Sequence, residues 1–371
     1  MNDTIREPEF VPGLELAEGF YRDAVRPLLE DSFPGLKHSA ALLGHGSEVM
    51  GFDTAMSRDH SWGPRVMLFL GPADHHAQRD AFTKFLADHL PPTYRGYPTG
   101  FSEPDPNDKG TQVMQAAVAG PVNHRVEVLT IEGFFRDYLG ISPDDTLAPA
   151  DWLTLPHQKL RAITFGKVFH DDLGLGRVRS TFAWYPHDVW LYVLASAWQR
   201  LGQDEHLMGR AGEAGDEMGS AVTGARLVRE CMRLAFLMEK QYPPYAKWLG
   251  MAFARLESAP VLAPHLSGAL LAGSWQEREK HLCAAYEALA ERHNSLGLTA
   301  PLPARVAPFW GRPFRVIKGE AFTAALLDAI TDPAVKTLPF RSPIGSIDLI
   351  SDNTDLLEDP AFRPGVRRLY T

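Results

Sequence analysis

Residues 13–31 show helical spacing of Leu14, Leu16, Phe20, Tyr21, Val25 and Leu28 and predict a helix. The pattern then contracts into short apolar runs. Ser39 to Leu43 predicts a buried strand ending in the turn Gly44-His45-Gly46-Ser47, and Arg65 to Leu70 predicts a second strand. Ala73 to Leu90 predicts a helix closed by Pro91-Pro92. Residues 93–112, rich in Gly, Pro, Asp and Asn, predict loop or irregular strand. Arg125 to Ile131 is β-branched and alternating, hence a strand, and Phe134 to Leu139 predicts a short helix.

Beyond the Pro- and Asp-rich stretch 142–151 the pattern turns helical, over 152–170, 186–202, 217–240, 244–257, 260–271 and 275–294. Pro301 to Arg312 is a connector. The tail predicts a helix at 319–330 and strand pieces at 338–350. The expected fold class is therefore α+β, with a small mixed-sheet domain at 1–145 packed on a mostly helical, bundle-like domain at 146–371 that ends in a mixed tail. A ligand is expected in the cleft between two such domains.

Composition narrows the function. The chain has 371 residues, 45% hydrophobic and 22% charged, as in globular proteins. Its formal net charge of −9 disfavours nucleic acid, whose binding needs clustered Lys and Arg. Cys231 and Cys283 lie in helical segments and suggest neither a disulfide framework nor a zinc site. No apolar run approaches a membrane span, and the polar N-terminus has no signal-peptide core, so a cytoplasmic protein is expected.

Chemistry concentrates in Gly46-Ser47 … Asp59-His60-Ser61, just before the apolar run from Val66 to Leu70. A small turn lets backbone N–H groups approach phosphate oxygens, and an Asp at the mouth of a strand offers Mg²⁺ a hard oxygen ligand. Such sites usually carry two carboxylates one residue apart, and here the second position is Ser61. Glu127 lies between valines on a predicted strand. There it is either an outward-facing strand residue or a carboxylate aimed at a metal. Asp53 either caps the turn or pairs with Arg58.

The chain resembles the bacterial family known as domain of unknown function 4037, a branch of the nucleotidyltransferase superfamily. The resemblance rests on Gly46-Ser47-Glu48, Gly51-Phe52-Asp53, Ser57 to Pro64 and Arg125-Val126-Glu127-Val128. It continues through Tyr185 to Trp190, Gly209 to Glu217, Tyr242 to Gly250 and Gly345-Ser346-Ile347-Asp348. The resemblance implies a small twisted sheet with a helical partner domain, two Mg²⁺ ions and nucleotidyl transfer. It also implies Asp-His-Asp where this chain has Asp59-His60-Ser61, and a third carboxylate on a neighbouring strand.

The expected activity is therefore metal-dependent transfer of a nucleoside monophosphate from an NTP, ATP foremost, to a hydroxyl of a small-molecule acceptor. Mg²⁺ or Mn²⁺ would be held by Asp59 and Glu127, with Glu127 also the general base. Gly46 and Ser47 would hold phosphates. Arg229 and Arg233 share a face with Arg226 on the helix at 217–240. They either meet a triphosphate or form a solvated face, as Glu230 within the row suggests. Lys247, between Tyr245 and Trp248, either neutralises phosphate or simply begins a helix. The alternative function is a decayed or recruited scaffold that binds a nucleotide or another small ligand. A third possibility, a helical metal phosphohydrolase built on His170-Asp171 or His187-Asp188, rests on two-letter pairs alone.

Overall fold

The computed structural model describes residues 8–58, 61–108, 110–116 and 120–371. They form two compact units, Met1–Asp145 with Lys159–Ala183, and Thr146–Gln158 with Trp184–Thr371. The fold class is α+β.

The first unit opens with α1 (Gly13–Phe20), a π-helical turn at Tyr21–Val25 and α2 (Arg26–Ser32). Pro27 lies just beyond the π turn and has no N–H for the helical ladder. The strands are β1 (His38–Leu42), β2 (Arg65–Leu70), a small hairpin of β3 (Thr93–Tyr94) and β4 (Tyr97–Pro98), then β5 (Arg125–Leu129) and β6 (Lys167–Asp171). Helix α3 (Pro72–His89) joins β2 to the hairpin, and α4 (Ile131–Leu139) follows β5.

The main sheet has the order β5-β2-β1-β6. Strand β1 runs antiparallel to both neighbours, while β2 and β5 are parallel, with Met67 opposite Glu127. Alternation then decides the two faces. Ala40, Val66, Leu68, Leu70, Val126 and Val128 form one core with Phe20, Val25 and Leu29 of the first helices and Phe82 and Leu86 of α3. Phe69 points the other way and meets Phe134 of α4 at 5.8 Å between ring centroids.

The helix expected over 152–170 is corrected. The chain forms α5 (Pro149–Leu153) and α6 (His157–Phe165), then β6, which returns to the sheet beside β1, and α7 (Leu175–Thr181).

The second unit is helical. It contains α8 (His187–Asp204), α9 (Leu207–Glu213), α10 (Glu217–Met238), α11 (Leu249–Phe253), α12 (Ala259–Leu271), α13 (Trp275–Ser295) and α14 (Gly319–Ala329). Helix α10 packs against α8, α9 and α13, and α14 lies along α8, where Trp198 stacks on Phe322 at 4.2 Å. The strand pieces expected at 338–350 do not form; Ile347–Ile350 is a helical turn. No helix among the described residues is long and apolar enough to cross a membrane.

Candidate functional site

The Gly-Ser turn leaves β1 and is pinned to the start of β2. Glu48 and Arg65, both buried, form an ion pair at 2.5 Å with a second contact through Arg65 Nε at 2.9 Å. Arg65 also donates to the His45 carbonyl at 2.5 Å. Gly46 sits in this bend at φ +129°, where a Cβ would lie 2.5 Å from both Arg65 Nη2 and Glu48 Oε2. The bend therefore requires glycine twice over, for its backbone angle and for the room. Ser47 accepts from the Phe52 N–H at 2.9 Å, which curls the chain toward Asp53.

Asp53 has a structural role. Its Oδ2 accepts from the Gly13 N–H at 2.7 Å, capping α1, and from the Trp62 indole at 3.0 Å. Trp62 is fully buried beside Leu16 and Tyr97. Asp59 and His60 lie outside the described residues. Ser61 follows them in left-handed backbone at φ 53°, before β2 begins, so it is a loop residue and not a strand residue.

Ser61, Gln112, Arg125 and Glu127 converge. Arg125 Nη2 donates to Glu127 Oε1 at 2.6 Å, while Nη1 donates to Ser61 Oγ at 3.2 Å and to Gln112 Oε1 at 3.0 Å. The Ser61 and Gln112 backbones are joined by the Ser61 N–H to the Gln112 carbonyl at 2.8 Å. Arg125 is largely buried, whereas Glu127 is 41% exposed. Sequence reasoning missed Arg125, although its place two residues before Glu127 puts both on one face of the strand. Gln112, in an irregular loop, gave no such signal.

Among the described residues, the oxygens of Glu127, Gln112 and Ser61 are hard donors of the kind that Mg²⁺ or Mn²⁺ accepts. They carry one negative charge, which Arg125 already neutralises. All three bond the Arg125 guanidinium, and one carboxylate with two neutral oxygens falls short of a site for a pair of cations.

Arg229, Arg233 and Lys247 belong to the second unit. Glu230, buried on α10, lies 3.1 Å from Arg200, 3.7 Å from Arg233 and 3.9 Å from Arg229. Arg229 also pairs with Asp352 at 2.6 Å, and Arg226 with Asp204 at 2.9 Å. The arginine row thus has carboxylate partners throughout. Burial pulls the Arg233 guanidinium below its usual range, while nearby Glu230 opposes the shift. Lys247 is exposed and lies over the Trp248 ring at 4.7 Å.

The phosphohydrolase pairs do not form a site. Asp171 accepts from Ser39 Oγ and from the N–H groups of Gly174, Leu175 and Gly176, so it caps α7. Asp188 accepts from Thr331 and Asp332.

Residues 152–249 match the family model described as Domain of unknown function (DUF4037), so the family read from the sequence is borne out over that segment. The segment includes the Tyr185-Pro186-His187-Asp188 and Tyr242-Pro243-Pro244-Tyr245 motifs. A solved structure of a nucleotidyltransferase-like protein from Exiguobacterium sibiricum 255-15 is similar at TM-score 0.33 and 9% identity, over 74% of this chain and 76% of that one. No curated protein matches.

Proposed function

We propose that the first unit binds the triphosphate of ATP or another NTP and transfers the nucleoside monophosphate to a hydroxyl of a small-molecule acceptor. One observation carries this reading: the guanidinium of Arg125 spans from Ser61 to Glu127. The loop that follows Asp59 and the strand that bears Glu127 are within reach of one side chain. That reach supports Glu127 as the third carboxylate of this reading.

In this reading the Gly46-Ser47 turn receives phosphate oxygens on backbone N–H groups. Arg125 exchanges Glu127 for a phosphate, which guanidinium binds through two parallel hydrogen bonds. Glu127, released, accepts the proton of the acceptor hydroxyl. Asp59 and Glu127 would hold the Mg²⁺ or Mn²⁺, which supplies Lewis acidity at the phosphate oxygens. Of the cations expected to meet phosphate, carboxylates already hold Arg229 and Arg233. The proposed setting is the cytoplasm.

A second reading, nucleotide or anion binding without turnover, is favoured by the same guanidinium. Ser61 brings no charge, and Arg125 already neutralises Glu127. A transfer assay separates the two. The protein is incubated with α-phosphate-labelled NTP, Mg²⁺ or Mn²⁺ and a panel of hydroxyl-bearing acceptors, and pyrophosphate release and labelled product are followed. Labelled product that disappears in Glu127→Gln supports transfer. Saturable NTP binding with no pyrophosphate under any condition supports the binding reading. Neither binding nor product contradicts both.

A further inference from the structure

The end of β1 remote from the Gly-Ser turn carries a second group of chemistry-bearing side chains. His38 opens β1, His170 and Asp172 lie at the close of β6, and Tyr21 begins the π-helical turn. One ligand atom from each of His38, His170 and Asp172 lies within 4.8 Å of the others. We propose that these three side chains form a structural site for one divalent transition-metal ion, Zn²⁺ by its donor set of two imidazole nitrogens and one carboxylate oxygen.

The hydrogen bonds orient His38 for this task. Its Nδ1 lies 3.2 Å from the Leu36 carbonyl, which can only accept, so Nδ1 carries the proton and Nε2 presents a lone pair. A second-shell N–H to a backbone carbonyl is how metal-bound imidazoles are commonly held. Nε2 faces Tyr21, whose hydroxyl donates to it at 2.8 Å. That hydroxyl is the group an ion displaces or takes as an added oxygen donor. His170 Nε2 and Asp172 Oδ2 are 2.9 Å apart. This is a hydrogen bond without an ion and close to the separation of two ligands sharing one, given metal bonds of about 2.0–2.2 Å. The rings of His38 and His170 lie 4.5 Å apart, so a small rotation of half-buried His170 closes the set.

The placement gives the ion work to do. Residues 159–183 rejoin the first unit after an excursion, and β6 is the edge strand that they contribute. Its attachment at this end includes the Asp172 N–H to the His38 carbonyl at 3.0 Å, a long bond from the His38 N–H to Asp172 Oδ2 at 3.4 Å, and Ser39 Oγ bonded to Asp171 at 2.7 Å. An ion held by residues 38, 170 and 172 would pin the returning strand beside the first helices. The π turn is a second sign, since such turns are rare and recur at functional sites. Here it places Tyr21 against Nε2.

The test uses the full chain without an affinity tag, stripped with a chelator and titrated with Zn²⁺ and with Co²⁺ as a visible probe. One ion per chain is expected, with Co²⁺ absorption of a four- or five-coordinate nitrogen–oxygen site and a higher melting temperature on Zn²⁺ binding. His170→Ala and Asp172→Asn alter exposed or half-buried groups and should fold; each should weaken Zn²⁺ binding by about tenfold or more. His187→Ala, elsewhere on the surface, should leave binding unchanged. No binding by the stripped wild type overturns the proposal, as does equal binding by wild type, His170→Ala and Asp172→Asn. In either case the four residues are only a hydrogen-bonded joint between β1 and β6.

Discussion

Replacing Arg65 by Met leaves Glu48 buried beside the Gly46 bend with no counter-ion. The side chains of Glu48 and Arg65 are 2% and 8% exposed and meet at 2.5 Å, so water cannot take over from the lost partner. Removing one member of a buried ion pair costs about 3–5 kcal/mol, mostly through the charge left behind. The His45 carbonyl loses a donor as well. Glu48→Gln strands the guanidinium and should cost a similar amount. With both changes no charge is stranded, and the double variant should be much more stable than the sum of the two single losses predicts. The assay is urea unfolding of the wild type, both single variants and the double variant, followed by circular dichroism. A coupling of about 1–3 kcal/mol or more is expected. Additive losses, or single losses below about 1 kcal/mol, would refute the idea that this pair fixes the turn.

Three further outcomes follow from the structure. Gly46→Ala forces a Cβ into Arg65 and Glu48 at φ +129°, so it should destabilise the chain by about 2 kcal/mol or more and weaken NTP binding; an unchanged melting temperature would contradict the strain. Asp53→Ala removes the acceptor of the Gly13 N–H and the Trp62 indole, at a cost of about 2–4 kcal/mol in urea unfolding; a loss under about 0.5 kcal/mol would show that those bonds add little. Burial pushes Glu205 up from 4.5 to about 7, against the N–H groups of Ile317 and Gly319. The folded state then holds the proton that the unfolded state gives up. This contribution is fully present below pH 4.5 and is lost as pH rises through 7. It amounts to about 3 kcal/mol, read as stability against pH, and a profile unchanged in Glu205→Gln would contradict it.

Much of the first unit was legible because its strands are short apolar runs between strong punctuation. Arg65–Leu70 and the helix that closes before Pro91-Pro92 stand where the pattern put them. Strand β6 was not legible, because Lys167 to Asp171 continues a helical run without a clear change of period. Gly166 was the available signal. A Cβ there would collide with the Leu42 carbonyl, so only glycine lets the chain turn from α6 onto β1. At 338–350 apolar residues suggested strands, but Pro339, Pro343 and Gly345 interrupt any ladder. At the candidate site Glu127 was identified from its cost between two valines. Its partner Arg125 was overlooked, although period-two alternation places both on one face. Ser61 was singled out only as the position of a missing carboxylate, and its left-handed backbone could not be read from a Ser-Trp-Gly sequence. Glu230 within the arginine row suggested a solvated face, whereas it is buried beside Arg200, Arg229 and Arg233.

Calorimetric titration of the untagged chain with ATP, GTP, CTP and UTP, each with and without Mg²⁺, tests the central claim most directly. One nucleotide per chain is expected, with affinity reduced in Gly46→Ala at the turn and in Arg125→Gln at the guanidinium. Absence of binding by all four nucleotides under both conditions, or binding that neither substitution changes, would contradict a triphosphate site built on Gly46, Ser47, Arg125 and Glu127.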